Sequence, residues 1–461
     1  MMKLAEIIAQ YVYETDIQKI PKAVVNKGKQ CLLDTIGVSI FGQCFRASKI
    51  ALNLALDMGG KEQSLILGSP NYTNAYWAAF VNGISAHVAD FDDSSVDFKG
   101  HPSSVLMPAA LAAAEIKNVS GIKLLEGFIL GNEVGSKLGQ VMGWNHYNIG
   151  WHGTGTVGTI AASVAAASIL DLKPEQIIRT IGIAASSAAG IRQNFGTMTK
   201  SFHAGQAAAA GLMAALLAEK GFDASKTALE GDVGFIKVFN GSDTISFLRE
   251  KLGDNYSIKN LAFKKYPSCA GTHAAVDAAL FLKKKYRIEY WQIDAVECAA
   301  RPNIESILIY NRPQTGLEAK FSMQYCTACA LINGKLGIQD FEDTAVQESE
   351  VQEFVKKIRF ISDPEFEKVA IERNLLAPTR VKIFLKDGQK LEQTVLEADG
   401  GPLAPLSWGD LEKKYLECAT TVFSPVQAEY VKKTIMDIEN LAKIKDLTDQ
   451  MVVHRKIDQG G

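Results

Sequence analysis

Alanine-rich stretches of helical composition run through residues 1–265 and constrain the fold most strongly. The densest lie at 107–116, 158–170 and 205–220. Alanine has the highest helix propensity, and its small side chain lets neighbouring helices pack closely. A proline directly after Lys173 is typical of the first turn of a helix. The pattern therefore predicts a large domain made of closely packed helices.

The composition changes in the C-terminal half of the chain. Segments 379–385 and 391–395 alternate apolar and polar residues, and the Asp387-Gly388 pair between them predicts a hairpin. A further strand is predicted at 295–298. Helices are predicted at 273–284, 342–357 and 408–445.

We predict a mainly α protein with two domains, because 461 residues exceed the ~250–300 at which one core usually stops growing. A large all-α helical domain spans residues 1–265, and a smaller α+β lid domain spans 266–404. Residues 405–461 are predicted to return to the helical domain, which makes the lid an insertion.

Composition and charge argue against several classes of protein. Hydrophobic residues make up 47% of the chain and charged residues 22%, as in soluble globular proteins. The net charge of −2 gives no reason to expect nucleic acid or an anionic membrane as a partner. The first 22 residues lack the apolar core of a secretory signal, and no apolar run approaches the ~20 residues of a membrane helix. We therefore predict a cytoplasmic protein.

The seven cysteines predict reduced thiols, since their number is odd and no secretory signal is expected. Cys326 and Cys329 have the spacing of a redox or metal pair, but they lie within 321–333, which has the composition of a buried helix. Because no second thiol pair lies at ligand spacing, packing is the favoured interpretation.

Histidines are concentrated in short motifs that also contain lysine, aspartate and tyrosine. The chain has seven histidines, and five lie in or beside these motifs: His87, His101, His152, His203 and His273. Histidine exchanges protons near neutral pH because its unperturbed pKa is ~6.5. The distribution predicts acid–base chemistry in a cleft built from distant segments.

The acidic motif Asp90-Phe91-Asp92-Asp93-Ser94 has three interpretations. Hard cations prefer carboxylate oxygens, so it could bind Mg²⁺ for diphosphate chemistry. It could also orient protons or cations in a metal-free site, or cap a helix. We find no second acidic cluster, and the nearby motifs carry histidines and a lysine that suit an anion. We therefore predict no metal.

Three further motifs supply candidate groups. His101 precedes a proline, which holds it extended on a loop. His152 lies in a glycine- and threonine-rich turn before a helix, which could bind an anion through backbone N–H groups or simply cap the helix. Lys200 and His203 are three residues apart and share a helix face. Lys200 could be a base with a pKa lowered by desolvation, a carboxylate clamp, or a residue that reaches out to solvent.

The predicted domain junction carries another set of polar residues. Lys264, Cys269 and His273 follow one another there, and clefts at domain interfaces are preferred ligand sites. Cys269 is either a nucleophile or, as we favour, a packing residue. Tyr325 begins a buried helix and is either a general acid or a hydroxyl with a structural hydrogen bond.

Taken in order, these motifs resemble those of one family, the 2-methylcitrate dehydratase and cis-aconitate decarboxylase family, MmgE/PrpD. The resemblance runs from about residue 75 to 415. The stretches that carry it are His87-x-x-Asp90-Phe91-Asp92-Asp93, His101-Pro102-Ser103, Lys200-x-x-His203-x-Gly205, Leu229-Glu230-Gly231, Lys264-x-Tyr266-Pro267-x-Cys269 and Glu318-Ala319-x-Phe321-Ser322.

The resemblance implies a large all-α domain, a smaller α+β lid and a homodimer. It implies a lyase or isomerase that acts on a small, anionic, citrate-like polycarboxylate without metal or organic cofactor. The residues that it places around the substrate are Asp90, Ser94, His101, His152, Lys200, His273 and Tyr325.

The loop before His101 departs from the dehydratase branch of the family. That branch carries Glu-Trp-Gly where this chain has Phe98-Lys99-Gly100, and Asp-Asn where it has Ser104-Val105. The difference argues against 2-methylcitrate as substrate. It leaves decarboxylation of aconitate, dehydration of another hydroxy-polycarboxylate, and epimerisation of a dicarboxylate such as iminodisuccinate.

All three reactions build carbanion-like charge beside a carboxylate, which cationic and hydrogen-bonding groups can stabilise. Our hypothesis is that His101 and Lys200 handle protons and that Asp90 orients His101. His273 and Tyr325 complete the site from the lid. The residues predicted to bind substrate are Lys200, Lys264, His203, Asp93, Ser94 and the His152 turn. The alternatives are a Mg²⁺-dependent diphosphate lyase and a catalytically inactive helical binding protein.

Overall fold

The computed structural model describes residues 2–241 and 252–453. The chain forms two compact units. The helical unit comprises the residues through Gln193, Thr199–Leu261 and the residues from Ser407 onward. The mixed unit comprises Asn194–Met198 and Ala262–Leu406.

The helical unit confirms the prediction of a mainly α protein. Its α-helices are α1 (Leu4–Glu14), α2 (Lys22–Gly42), α3 (Arg46–Met58), α4 (Ala75–Val88), α5 (Ser103–Lys117), α6 (Gly121–Asn148), α7 (Gly153–Ile169), α8 (Pro174–Ser187), α9 (Thr199–Glu219), α10 (Phe235–Val238), α17 (Trp408–Ala419), α18 (Pro425–Met436) and α19 (Lys445–Thr448). A two-residue antiparallel pair, β1 (Ser64–Leu65) and β2 (Tyr72–Thr73), interrupts them. The predicted helices at 107–116, 158–170 and 205–220 fall on α5, α7 and α9, and α8 begins at the predicted proline.

Small residues bring α4, α7 and α9 together at the centre of this unit. α9 packs against both α4 and α7, and every residue of α7 is buried. Gly83 of α4 meets Gly205 of α9, where a Cβ on Gly83 would lie 2.7 Å from the Gly205 Cα. A Cβ on Gly205 would lie 2.4 Å from the carbonyl oxygen of Phe80. The two backbones therefore cross at a distance that only glycine permits.

Replacing Gly205 by alanine is expected to destabilise the fold by about 1–3 kcal/mol, the usual cost of overpacking a core. The added methyl group collides with backbone, which cannot rotate away as a side chain can. Gly28→Ala in α2 is the matched control, because its Cβ would meet nothing closer than 3.4 Å. Urea denaturation of both variants checks this. Equal stability of the two would show that α4 and α9 do not need this crossing.

The mixed unit contains a four-stranded sheet in the order β4-β3-β5-β6. Its strands are β3 (Ile293–Ala300), β4 (Ile358–Ser362), β5 (Thr379–Leu385) and β6 (Lys390–Val395), and its α-helices are α11 (His273–Tyr286), α12 (Gly316–Ala319), α13 (Met323–Asn333), α14 (Asp343–Val346), α15 (Ser349–Val355) and α16 (Pro364–Arg373). β3 pairs with β4 in parallel and with β5 antiparallel, and α11 packs against β5 and β6.

Most secondary structure predicted in the mixed unit is confirmed, with two corrections. β5 and β6 form the predicted hairpin, in which Gly388 has a φ of 89°. The single helix predicted at 342–357 is wrong, because α14 and α15 are separate. β4 was not predicted, since its residues Ile358–Ser362 alternate only briefly before a helix. None of the seven cysteines, all of which lie in the described residues, is in a disulfide, and Cys326 and Cys329 are buried in α13 as predicted.

One prediction about apolar runs is corrected. Of the residues that the structure describes, one helix is long and apolar enough to cross a membrane by length and composition, and it is the 21-residue α9. In its most apolar window, 72% of the residues are buried inside the protein. α9 contacts α4, α7 and α8. These are the contacts of a core helix.

Candidate active site

The loop between α4 and α5 carries the acidic motif and is held at both ends. Asp90 ends the α4 turn in the left-handed region, with a φ of 50°, and its N–H donates to the carbonyl of His87 (3.0 Å). Aspartate is among the few non-glycine residues that enter this region readily. At the other end, the Asp93 carboxylate accepts from the Ser103 N–H (3.1 Å) and from the Ser103 hydroxyl. The loop geometry is thus fixed by its own polar residues.

Two glycines let this loop approach the start of α7. A Cβ on Gly100 would lie 2.7 Å from the Thr154 nitrogen, and one on Gly153 would lie 2.3 Å from the Lys99 carbonyl oxygen. The backbone N–H of His101 donates to the Thr154 hydroxyl (3.1 Å). This contact places His101 beside His152, which immediately precedes α7.

Four histidines from three helices and this loop form what we call the imidazole cluster: His87, His101, His152 and His203. The ring centroids of His87 and His101 lie 4.5 Å apart, those of His101 and His152 6.2 Å, and those of His152 and His203 5.2 Å. Three of the rings are buried, and His101 is the most accessible of the four. The structure therefore brings together histidines that are up to 116 positions apart in the chain, from His87 to His203.

Burial and a nearby lysine keep much of this cluster uncharged. Burial lowers the pKa of His87, and the Lys200 charge lowers it further against the opposing Asp92. The pKa of His152 falls well below its usual range for the same two reasons, burial first. Burial, with His87 and Lys200, lowers the pKa of His203 to about 4. These three rings are neutral at pH 7.

Hydrogen bonds assign the tautomer of His101. Its Nδ1 lies 2.8 Å from the backbone carbonyl oxygen of Asp93, and a carbonyl can only accept. Nδ1 therefore carries a hydrogen, and in the neutral ring Nε2 is the nitrogen without one. The Asp92 carboxylate lies 3.4 Å from the same Nδ1, where it stabilises positive charge on the ring. A ring oriented in this way is suited to proton transfer through Nε2.

Lys200 forms a buried ion pair with Asp90. Nζ of Lys200 lies 2.6 Å from Oδ1 of Asp90, and the two side chains are 8% and 4% exposed. The contacts at His101 Nδ1 come from the Asp93 carbonyl and the Asp92 carboxylate, and the hypothesis that Asp90 orients His101 stays a prediction. Asp90 holds the ammonium group of Lys200, which lies in the first turn of α9.

Three residues predicted to bind substrate lie in the helical unit, and two of them, Asp93 and His203, have structural contacts there. Both carboxylate oxygens of Asp93 bind Ser103, and burial raises its pKa to about 7. Ser94 is half-buried in the same loop. Nδ1 of His203 lies 3.0 Å from Nδ1 of His152, so this histidine is paired with another imidazole.

The remaining predicted residues lie in the mixed unit. Lys264 is 1% exposed there. His273 begins α11, with Nε2 3.3 Å from the Ser268 carbonyl oxygen. The hydroxyl of Tyr325 donates to the Asp340 carbonyl, and burial raises the pKa of the phenol. The structural interpretation of Tyr325 is the one that these contacts support.

His87 and Lys414 also contact the site, but neither was among the site residues predicted from the sequence. His87 donates from Nδ1 to the Asp92 carboxylate (2.8 Å), and its buried Nε2 has no hydrogen-bond partner. Its place three residues before Asp90 was an available signal. Nζ of Lys414 in α17 lies 2.7 Å from Asp34 and donates to the carbonyl of Phe91 (2.7 Å), which anchors the acidic loop. No local pattern indicates that contact.

The cluster also has the donors of a metal site. One ring nitrogen from each of His87, His101 and His152 lies within 4.8 Å of the others, and a second set replaces His152 with Asp90 and Asp92. The Lys200 ammonium, however, lies close enough for its charge to lower the pKa of His87 and His152. A divalent cation here would be repelled by that charge.

Comparison with known proteins identifies the family of this chain. Residues 6–248 match the family described as the MmgE/PrpD N-terminal domain, and residues 266–440 match the MmgE/PrpD C-terminal domain. The chain belongs to the MmgE/PrpD family. This confirms the resemblance drawn from the ordered motifs.

Curated MmgE/PrpD relatives fall into two groups. The chain is 27% identical to a cis-aconitate decarboxylase of Homo sapiens, over 97% of this chain and 94% of the relative. It is 25% identical to the cis-aconitate decarboxylase of Aspergillus terreus strain NIH 2624, over 93% and 92%. A 2-methylcitrate dehydratase of Escherichia coli K12 is 25% identical, over 85% and 84%. The decarboxylases therefore align over more of the chain.

Proposed function

We propose that this protein is a lyase that acts on a small polycarboxylate of the cis-aconitate type, without a metal or organic cofactor. The observation that carries the proposal is the meeting of the Lys200–Asp90 ion pair with the imidazole cluster around His101. Its relatives are named as cis-aconitate decarboxylases and 2-methylcitrate dehydratases, and the decarboxylases cover more of the chain. Decarboxylation is therefore the first reaction to test.

In decarboxylation, loss of CO₂ leaves an electron pair on carbon that a proton must capture. The Lys200 ammonium binds a substrate carboxylate and stabilises the charge that develops beside it. Protonated His101 delivers the proton from Nε2, while Nδ1–H stays bound to the Asp93 carbonyl (2.8 Å). The Asp92 carboxylate offsets the ring's charge before transfer. Each of these groups is preorganised by a contact outside the substrate.

Dehydration of a hydroxy-polycarboxylate is the second candidate. It needs a base that removes a proton from carbon, and neutral His101 in the assigned tautomer presents a bare Nε2 for this. The 2-methylcitrate dehydratases among the relatives favour this candidate. The same ring orientation thus serves either reaction.

A substrate screen tests the proposal. Purified protein is incubated in D₂O with cis-aconitate, citrate, 2-methylcitrate or iminodisuccinate, and each reaction is followed by NMR. CO₂ release from cis-aconitate supports decarboxylation, and an alkene formed from a hydroxy acid supports dehydration. Deuterium at carbon without net conversion would indicate an epimerase and overturn the lyase assignment. If none of the four compounds reacts, the result would favour a binding function.

Chelation of metals is expected to leave turnover unchanged. The proton donor and the cation that the mechanism needs are His101 and Lys200, so EDTA dialysis removes nothing that the chemistry uses. The measurement is kcat before and after dialysis, with the metal content of the protein determined in parallel. A loss that added Zn²⁺ or Mg²⁺ reverses would contradict the metal-free mechanism and assign metal binding to the cluster donors.

Other features stay predictions from the sequence and the family resemblance. These are a homodimer, a cytoplasmic location, the lid role of the mixed unit, and the site roles of Lys264, His273 and Tyr325. Light scattering of the purified protein measures the oligomeric state directly.

A further inference from the structure

We propose that His203 and His152 form a proton relay that recharges the acid of the active site. The inference rests on the proposed decarboxylation and extends it. Replacing a carboxylate by hydrogen consumes one proton in every turnover, because CO₂ leaves without one. His101 must therefore be reprotonated after each reaction.

The contact between the two rings has the geometry that a relay needs. Nδ1 of His152 lies 3.0 Å from Nδ1 of His203, which is a hydrogen-bond distance. In two neutral rings, one of these atoms carries the hydrogen and the other accepts it. A proton that arrives at Nε2 of His203 can then be passed from Nδ1 to Nδ1 and released from Nε2 of His152. Each ring gains one proton and loses one, so neither keeps the charge.

The relay leads from an accessible segment to the reacting groups. His152 is 1% exposed and His203 5%. The preceding residue, Phe202, is 42% exposed, and a Cβ on Gly190 would lie 3.1 Å from the His203 ring in a half-buried stretch of chain. On the inner side, ring nitrogens of His152 and His101 lie within 4.8 Å, a gap that one water molecule can bridge.

The surroundings of the pair favour passage of the proton. The charged and titratable groups that act on His152 are Lys200, His203, His87 and His101, and those that act on His203 are His87 and Lys200. Together with burial, they lower the pKa of both rings. A ring that held the proton tightly as imidazolium would stop the relay.

Replacing His203 by alanine or glutamine is the test. We expect kcat to fall by about 10²-fold, the lower end of what proton-transfer groups contribute, with little change in KM. Proton delivery then limits the rate, so kcat of His203→Ala rises with added imidazole and its solvent deuterium isotope effect increases. Glutamine can keep a hydrogen bond to His152 but cannot relay, so His203→Gln separates transfer from packing. Near-native kcat in a folded His203→Gln protein, or a raised KM with unchanged kcat, would overturn the relay.

His146→Gln is the matched control. His146 is also buried, but it binds the Phe239 carbonyl (2.7 Å) and the Thr156 hydroxyl (2.7 Å) and lies outside the cluster as defined. Its variant is expected to show no rescue by imidazole.

A second readout does not depend on turnover. ¹⁵N NMR of histidine-labelled protein is expected to show His152 and His203 both neutral at pH 7, with one Nδ1 protonated and the other bare. Detection of an imidazolium at either position would overturn the relay whatever the substrate. If none of the screened compounds reacts but NMR shows both histidines neutral, the proposed decarboxylation is refuted instead.

Discussion

Replacing His101 by alanine is expected to lower turnover by at least about 10²-fold while the protein stays folded. The variant loses the Nε2 group that delivers or removes the proton at carbon. The loop should keep its shape, because Asp93 still binds Ser103 and the backbone N–H at position 101 still donates to Thr154. Steady-state kinetics on the substrate found in the screen give the effect, and circular dichroism gives the fold.

Two further measurements make this prediction specific. The kcat of His101→Ala should stay low whether or not metals have been removed with EDTA. The thermal unfolding midpoint of the variant should stay close to that of the unmodified protein. Turnover near the native value in this variant would refute the role of His101 as the proton-transfer group. A collapse of the fold would show that the ring is needed for the loop.

Removing Lys200 is expected to affect stability and activity in different ways. Lys200→Met leaves the buried Asp90 carboxylate without its ammonium partner, which typically costs about 3–5 kcal/mol. The double variant Asp90→Asn, Lys200→Met removes both charges and should recover most of that stability. Activity should be lost in both, because neither retains the cation that stabilises charge on the substrate. Urea denaturation and kinetics on the same preparations separate the two effects.

Two outcomes would contradict this account of the ion pair. Equal stability of the single and double variants would mean that Asp90 is not a buried, charge-dependent partner of Lys200. Activity that returned in the double variant would show that the lysine is needed only to neutralise Asp90 and not to act on substrate.

Local sequence patterns predicted those helices and strands whose intrinsic helix or turn propensity favours the same structure as tertiary packing. Alanine density at 158–170 predicted α7, whereas the close crossing of α4 and α9 at Gly205 was not predicted. Asp387-Gly388 gives the hairpin, because glycine there adopts a positive φ. β4 was missed, since a five-residue strand that pairs in parallel with a distant partner leaves little periodicity of its own.

The residues of the candidate site could be chosen from the sequence, but their pairing could not. Asp90, His101, His152 and Lys200 were selected, and the structure brings them together in the helical unit. Motif spacing does not show which carboxylate faces which base, so the contacts of the Asp92 carboxylate and the Asp93 carbonyl with His101 Nδ1 were not predicted.

Some contributions to the site depend on distant packing. Lys414 anchors the acidic loop across 323 positions of sequence, through a single hydrogen bond to the Phe91 carbonyl. His203 was expected to face substrate because it shares a helix face with Lys200, yet its Nδ1 is paired with His152. The way in which two helices cross determines which of their atoms meet. The spacing of residues within one helix does not determine these contacts.

The most direct test of the central claim is turnover of cis-aconitate by EDTA-treated protein in D₂O, followed by ¹³C NMR. We expect release of CO₂, with one solvent deuterium appearing on the product carbon for each CO₂ formed. We expect His101→Ala to lose this reaction. Absence of CO₂ from the folded protein, or equal rates in the two proteins, would contradict it.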